Sequence, residues 1–215
     1  MTAQKIEKAR VHFKKVDPLL FKIVQRVDRE LIKTGKSKPF RPRKQGTLFE
    51  HTLHSIVFQQ LSVKAATTIH GRVCALFEKN KPTPELLLAA DETLLRSAGL
   101  SRQKISYLKD LAQHFASGKI NLTTVEKLPD LELIETLTQV KGIGVWTVQM
   151  LLIFRLGRHD VLPTLDLGIQ KGIQRTYALR SLPKPKRVAA IGTKWSPYCS
   201  VASWYLWRSL ELSEI

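Results

Sequence analysis

Two glycines within residues 140–144, Val-Lys-Gly-Ile-Gly, constrain the fold of this chain more than any other feature. Apolar residues recur at helical spacing up to Val140, and residues 145–154 form a second apolar run. Gly142 falls where a helix ends on a residue with positive φ, and Gly144 permits another bend. The pattern predicts two helices joined by a tight turn. That turn is either a plain connector or, through the unpaired amides of the second helix, a site for an anion.

A lone carboxylate follows the second predicted helix. Asp166 comes after an extended, proline-containing segment and directly before the apolar pattern of residues 167–177, which is the position of a helix N-cap. Capping alone and capping combined with a role in a cleft both fit these residues. Further upstream, residues 59–62, Gln-Gln-Leu-Ser, separate two helical patterns, and Ser62 is placed to cap the second of them.

The charge of the chain predicts a polyanionic partner. Lys and Arg number 35 against 18 Asp and Glu, a formal charge of +17, and the excess is spread along all 215 residues. A merely soluble basic protein and an anionic membrane surface are the alternatives, and no long apolar span supports a membrane. Phe40 in the basic loop 34–45 is interpreted as a residue near DNA or part of a solvated loop. Three further basic residues are interpreted as a solvent-facing side of a helix or as phosphate contacts: Arg102, Lys104 and Lys109.

The few cysteines and scattered histidines exclude common metal centres. Cys74 and Cys199 are too few for an iron–sulfur cluster and lack zinc-ligand spacing, so we expect two buried small apolar side chains. Residues 1–13 lack the apolar core of a signal peptide, which predicts an intracellular protein. Trp195 and Trp204 are predicted core residues. No strand-like alternation of useful length occurs, and the fold class predicted from the residue patterns is all-α.

Together, the 140–144 turn, the 59–62 turn and residues 162–168, Leu-Pro-Thr-Leu-Asp-Leu-Gly, resemble the helix-hairpin-helix DNA glycosylases. Within them, the chain is similar to the alkylpurine branch, the DNA-3-methyladenine glycosylase II type. The resemblance covers residues 47–207. It implies two helical lobes with a DNA-binding cleft between them: a hairpin lobe of roughly residues 55–165, and a second lobe formed by residues 1–54 and 166–215.

The resemblance implies that Asp166 is the catalytic residue and that Trp146, Trp207 and Tyr198 form the substrate-base pocket. In relatives that also cleave the DNA backbone, a lysine at the position of Trp146 forms a Schiff base with the sugar. Without that amine, we expect a monofunctional glycosylase that flips an alkylated purine of the 3-methyladenine or 7-methylguanine type, hydrolyses its N-glycosidic bond and leaves an abasic site.

The resemblance also implies the contacts to double-stranded DNA. Gln60 would fill the gap left by the flipped nucleotide or contact the orphaned base, and Leu61 would act as a wedge; the other interpretation of Leu61 is a buried core leucine. The implied DNA-binding residues are Gln60, Leu61, Ser62, Lys141, Gly142, Gly144 and Thr147. A structural sodium or potassium ion is implied at the backbone oxygens of Thr138, Val140 and Ile143, and no other cofactor.

Two departures from the family pattern support a second hypothesis. Leu165 stands where a second acid is often found, and Cys199 where an arginine is frequent. The alternative is therefore a non-catalytic protein that binds damaged or abasic DNA with the same fold. A helix-turn-helix regulator ranks below both, because residues 145–154 are largely apolar. We expect a monomer, located in the cytoplasm or nucleoid of a bacterium or in the nucleus of a eukaryote.

Overall fold

The computed structural model describes residues 3–35, 40, 42 and 45–212, and this part of the chain is helical without a β-strand. The predicted all-α fold class is therefore confirmed. The α-helices in chain order are α1 (Ala3–Val16), α2 (Pro18–Lys33), α3 (Leu48–Phe58), α4 (Val63–Ala75), α5 (Pro84–Ala89), α6 (Glu92–Ser97), α7 (Arg102–Ala116), α8 (Asp130–Leu137), α9 (Val145–Leu151), α10 (Leu167–Thr176), α11 (Pro185–Gly192) and α12 (Cys199–Glu211). None of the helices in the described ranges combines the length and apolar character that a bilayer crossing requires.

Local sequence signals set where several helices begin. The side chain of Asp17 accepts the Leu20 amide at 3.1 Å, with Pro18 in the first turn of α2. Ser62 and Ser101 cap α4 and α7 in the same way, accepting the amide three residues later. Ser62 is thereby confirmed as a predicted N-cap, and each of the three side chains satisfies a backbone donor that the first turn of a helix leaves unpaired.

The chain divides into two compact units, one of Met1–Arg43 with Leu152–Ile215 and the other of Lys44–Leu151. Both boundaries between the units lie earlier in the chain than those of the expected lobes, 55–165 and 1–54 with 166–215. The first boundary follows residue 43 and not 54, and the second follows residue 151 and not 165. The first lies earlier because α3, from its beginning, packs against α4 and α7. The second lies earlier because residues before 166 bond to α12 and to the turn before it: the Ser200 amide donates to the His159 carbonyl at 2.9 Å, and Ser196 Oγ to Asp160 Oδ2 at 2.5 Å.

In the unit of Met1–Arg43 and Leu152–Ile215, α12 is the central helix. Its residues from Cys199 to Leu206 are all buried, and it packs against α10 and α2. Trp195 and Trp204 are buried, which confirms them as core residues. Phe40 is also buried, with its ring 5.7 Å from that of Phe154, so the interpretation of a solvated residue was wrong, and a place near DNA stays a prediction. The neighbouring Arg41, Arg43 and Lys44 lie outside the described residues.

In the unit of Lys44–Leu151, α3 and α7 pack together and α5 packs on α7. The interpretation of Lys104 and Lys109 as purely solvent-facing side chains was wrong, while phosphate contacts by these residues stay a prediction. Both are part-buried and donate to backbone carbonyls, Lys104 at the end of α3 and Lys109 at the end of α5. The last carbonyl groups of a helix have no hydrogen-bond partner within that helix. The two lysine side chains on α7 are long enough to reach these groups and donate to them.

Candidate active site and nucleic-acid interface

Asp166 is held in one orientation by two hydrogen bonds. The residue is the N-cap of α10, and its Oδ1 accepts the Ile169 amide at 2.8 Å. The indole Nε1 of Trp207, on α12, donates to the same oxygen at 2.8 Å. The residue as a whole is 9% exposed. Capping is thus one of its contacts, and the indole adds a second contact that helix capping does not require.

Gly168 allows the Trp207 indole to approach the carboxylate. A Cβ on residue 168 would lie 2.8 Å from Trp207 Cδ1 and 3.0 Å from Asp166 Oδ1, closer than side chains pack. The glycine is therefore required by the close contact of the indole with the first turn of α10, and not by a positive φ. Its place two residues after the predicted N-cap gave no sequence signal for this role.

Phe154 is an aromatic residue near Asp166 that the sequence analysis missed. It lies in a π-helical turn, Leu152–Leu156, that follows α9, and its side chain is 38% exposed. Its ring lies 5.5 Å from that of Trp207 at an interplanar angle of 33°. π-Helical turns are rare and occur often at functional sites, but the apolar run 145–154 predicts one regular helix and hides the irregularity.

Tyr198 lies apart from the pair formed by Asp166 and Trp207. Its ring packs edge-on against His12 and Phe13 of α1, and it lines a separate cavity of about 590 Å³ with residues of α1. We therefore leave Tyr198 out of the base pocket proposed below. The adjacent Cys199 donates its amide to Asp160 at 3.2 Å, and burial raises the pKa of its thiol, as expected for a structural cysteine.

In the unit of Lys44–Leu151, four of the seven predicted DNA-binding residues line one cavity of about 790 Å³, and the other three, Ser62, Lys141 and Gly144, are not part of its lining. Trp146 contributes an indole that is 47% exposed, and Thr147 and Gly142 line the same space. Gln60 and Leu61 line it from the 59–62 turn. Residues distant in sequence are therefore collected at a single concave surface, as ligand sites generally are.

Leu61 occupies an exposed turn, so the interpretation of a buried core leucine was wrong. It is 39% exposed, and the residue before it, Gln60, adopts a positive φ of 56°. Ser62 then caps α4. A left-handed backbone conformation is costly for a glutamine, and such residues persist only where the surroundings hold them.

The turn between α8 and α9 differs in detail from its prediction. The first helix ends at Leu137 and not next to Gly142, and Pro129 occupies its N-cap position without a side-chain hydrogen bond. Gly142 has the expected positive φ, 79°, but within a separate turn closed by the Ile143 amide and the Val140 carbonyl at 3.1 Å. A short polar turn can thus replace the last helical residues that hydrophobic spacing suggests.

Gly144 and Lys141 border this turn in different ways. A Cβ on Gly144 would meet no atom within 4 Å, so the protein itself leaves space beside this backbone. The Lys141 amide donates to Asp110 Oδ2 at 2.8 Å, while its ammonium group lies 3.8 Å from Oδ1 of the same carboxylate. The Lys141 side chain is largely exposed, and a lysine so placed can pair with a phosphate.

The carbonyl groups expected to hold a sodium or potassium ion lie in the same turn. Thr138 is the C-cap of α8, and the Val140 carbonyl already accepts the Ile143 amide. A carbonyl oxygen has two lone pairs, so this hydrogen bond is compatible with a cation ligand, and the cation stays a prediction. Within the described ranges, no three His, Cys, Asp or Glu side chains cluster as metal ligands.

Comparison with known proteins identifies the family. Residues 53–197 match the family model described as HhH-GPD superfamily base excision DNA repair protein. DNA-3-methyladenine glycosylase 1 of Schizosaccharomyces pombe is 35% identical over 97% of this chain and 90% of its own.

Solved structures agree with that match. A 3-methyladenine DNA glycosylase of S. pombe in complex with abasic DNA has a TM-score of 0.77 at 34% identity, covering 96% of this chain and 98% of that chain. A DNA-3-methyladenine glycosidase of Bacillus halodurans has a TM-score of 0.76 at 34% identity, covering 91% and 87%. The resemblance inferred from the motifs is confirmed, and the chain belongs to the HhH-GPD superfamily of base excision DNA repair proteins.

Proposed function

We propose that this protein is a monofunctional DNA glycosylase that removes alkylated purines from double-stranded DNA. The single observation that carries the proposal is the buried, doubly hydrogen-bonded carboxylate of Asp166 in a chain of this family. The names of the relatives supply the substrate class, since each of those compared above is named as a glycosylase or glycosidase of 3-methyladenine in DNA. The products are the free base and an abasic site in an intact strand.

Asp166 has the chemistry that this reaction needs. Alkylation at N3 or N7 makes a purine cationic, so its glycosidic bond is weakened and the departing base needs little protonation. Positive charge develops instead on the deoxyribose as the bond breaks. A preorganised carboxylate stabilises that charge and can orient or deprotonate the attacking water, an effect worth roughly 100- to 1000-fold in rate for a single electrostatic group.

Aromatic side chains support recognition of the cationic base. Trp207 and Phe154 offer neighbouring ring surfaces in the unit that carries Asp166, and Trp146 offers an exposed indole in the other unit. The negative face of an aromatic ring attracts a cation, so methylated purines gain more from stacking than normal ones. Because Trp146 has no amine, the Schiff base that leads to strand cleavage has no nucleophile at that position.

We further propose that the α8–α9 turn binds the phosphates of the DNA backbone and that Leu61 inserts into the base stack. The turn contributes Lys141, Gly142 and Gly144, while Thr147 lies in the first turn of α9. Gln60 and Ser62 flank the wedge, and unstacking a base step by an apolar wedge costs a few kcal/mol, which phosphate contacts offset. The enzyme would act as a monomer, without an iron–sulfur cluster, wherever the cell keeps its DNA.

A non-catalytic protein that binds abasic or damaged DNA is the second candidate. The departures at Leu165, which is exposed, and Cys199, which is buried, favour it, because neither side chain supplies the charge that relatives often carry. Both candidates bind DNA through phosphates and would lose affinity as salt rises. Release of the base is therefore the observation that separates them.

The deciding experiment compares wild-type protein with Asp166→Asn on duplex DNA carrying 7-methylguanine or 3-methyladenine. Asparagine is also a good N-cap and keeps an oxygen for Trp207, so the variant is expected to fold. We expect base release by the wild type only, with no strand break until alkali is added. Binding of an abasic duplex without release by the wild type would favour the second candidate, and strand cleavage without alkali would contradict the monofunctional assignment.

A further inference from the structure

A lysine on α7 donates hydrogen bonds to the end of α3, the helix that precedes the exposed 59–62 turn. Lys104 Nζ donates to the Val57 carbonyl at 2.6 Å and to the Gln59 carbonyl at 2.8 Å. These oxygens belong to the last residue but one of α3 and to its C-cap. The ammonium group therefore fixes the backbone immediately before Gln60, the residue with a positive φ.

The side chain of Gln59 joins this turn to the α8–α9 turn. Its Nε2 donates to the Gly142 carbonyl at 2.9 Å, across 83 residues of sequence. Gly142 is itself held in place, because a Cβ there would lie 2.2 Å from the Tyr107 ring, so the glycine backbone rests directly on that ring. Tyr107 is on α7, as is Lys104. One helix therefore supports both turns.

The strained backbone of Gln60 indicates what these contacts do. The left-handed conformation of Gln60, with a φ of 56°, costs free energy. In the protein without DNA, that cost is removed if the turn relaxes to another conformation. Lys104 and Gln59 oppose relaxation on the side of α3, and the Ser62 cap of α4 opposes it on the other. The turn is thereby kept in one conformation at a fixed position relative to Gly142.

We propose that Gln59 and Lys104 are positioning residues that hold Gln60 and Leu61 in register with the α8–α9 turn. This inference rests on the proposed entry of Leu61 into DNA. A rigid link makes phosphate binding by one turn and insertion by the other a single step, because no loop has to become ordered first. A protein without the contacts of Gln59 and Lys104 still binds phosphates. It loses its preference for DNA with a missing base, where the 59–62 turn has a gap to fill.

Lys109 provides a matched control for Lys104. It lies on the same helix and donates to the carbonyls of Leu88 and Ala90 at the end of α5, away from the 59–62 turn. Lys104→Met and Lys109→Met each remove one positive charge and one helix-end contact. Only the first of them releases the segment before Gln60.

The test measures two dissociation constants for each variant, one for a duplex with a tetrahydrofuran abasic analogue and one for the same duplex without it. The preference for a gap is the dissociation constant for the undamaged duplex divided by that for the abasic duplex. We expect Lys104→Met to lower this ratio about tenfold, equivalent to about 1.4 kcal/mol, while Lys109→Met leaves it at the wild-type value. Any affinity that a variant loses for both duplexes through the missing positive charge cancels in this ratio.

A second pair of variants keeps the test independent of folding and of charge. Gln59→Met removes the donor to Gly142 without a charge change, and Gln113→Met makes the same substitution at an exposed position of α7. We expect only the first to lower the ratio. If folded Gln59→Met and Lys104→Met keep the wild-type ratio, the inference is overturned. This test measures binding and not excision. A wild-type protein that prefers the abasic duplex here but releases no base in the excision assay would therefore refute the proposed activity and leave this inference intact.

Discussion

Replacing Gly168 with alanine tests whether the contact between Trp207 and Asp166 determines the rate of base release. The new Cβ would lie 2.8 Å from Cδ1 and 2.9 Å from Nε1 of the indole, and 3.0 Å from Oδ1 of the carboxylate. The carboxylate is also bonded to the Ile169 amide of its own helix, so the indole is the group that moves. Its hydrogen bond to Asp166 is then lost.

The two expected effects of Gly168→Ala differ in size. A hydrogen bond to a charged group contributes roughly 1.5–3 kcal/mol, and alanine in a helix regains up to about 1 kcal/mol over glycine. The free energy of unfolding should therefore fall by only about 1–2 kcal/mol. Without the indole, the carboxylate of Asp166 loses one of the hydrogen bonds that orient it. A reacting group misplaced by about 1 Å can cost about 100-fold in rate, so the single-turnover rate should fall by roughly 10- to 100-fold.

Two other glycines supply controls for Gly168→Ala. A Cβ on Gly172 would lie 3.0 Å from the Cβ of Leu206, so Gly172→Ala strains the same pair of helices without touching the carboxylate. A Cβ on Gly71, in α4, would meet nothing within 4 Å. Urea unfolding and release of 7-methylguanine under single-turnover conditions are measured for all three. The reasoning fails if Gly168→Ala is destabilised yet releases base at the wild-type rate, or if Gly172→Ala is equally slow.

Three further predictions concern the α8–α9 turn and a half-buried histidine. Gly144→Ala should keep wild-type stability but lose about tenfold in duplex affinity by fluorescence anisotropy, because its methyl group intrudes only on a bound phosphate. Gly142→Ala should lose at least about 2 kcal/mol of stability through strain and the clash with Tyr107; equal stability in the two variants would contradict this. Burial lowers the pKa of His70 from 6.5, so the unfolded state binds more protons below that pH, and stability should fall as pH falls through it. His70→Gln should show a flatter decline in urea unfolding between pH 7.5 and 5.5, and an unchanged slope would count against burial as the cause.

Signals that act within a few residues were the ones the sequence predicted well. Ser62 and Asp166 were identified as N-caps because capping depends on one side chain and an amide two or three residues away. The positive φ of Gly142 was predicted for the same local reason, although α8 ends earlier than its apolar spacing suggested. Helix ends follow from competing turn hydrogen bonds, which hydrophobic spacing does not describe.

Features that depend on distant partners were not predictable from the sequence. Lys104 looked like a surface residue because its two carbonyl partners lie on another helix. Phe40 sits in a basic segment, but its aromatic neighbours Phe154 and Trp204 come from far along the chain. Tyr198 was grouped with Trp207 from the family pattern alone, and its contacts with α1 separate the two.

Capping and catalysis at Asp166 are not competing interpretations. The Ile169 amide and the Trp207 indole donate to the same carboxylate oxygen, so the helix cap is one of the two contacts that orient the group. The second contact depends on how closely α12 approaches α10, and Gly168 sets that distance at the carboxylate. The orientation of the proposed catalytic group is therefore a property of helix packing. It follows that substitutions between α10 and α12 that never touch DNA should change the rate of base release whenever they shift the indole.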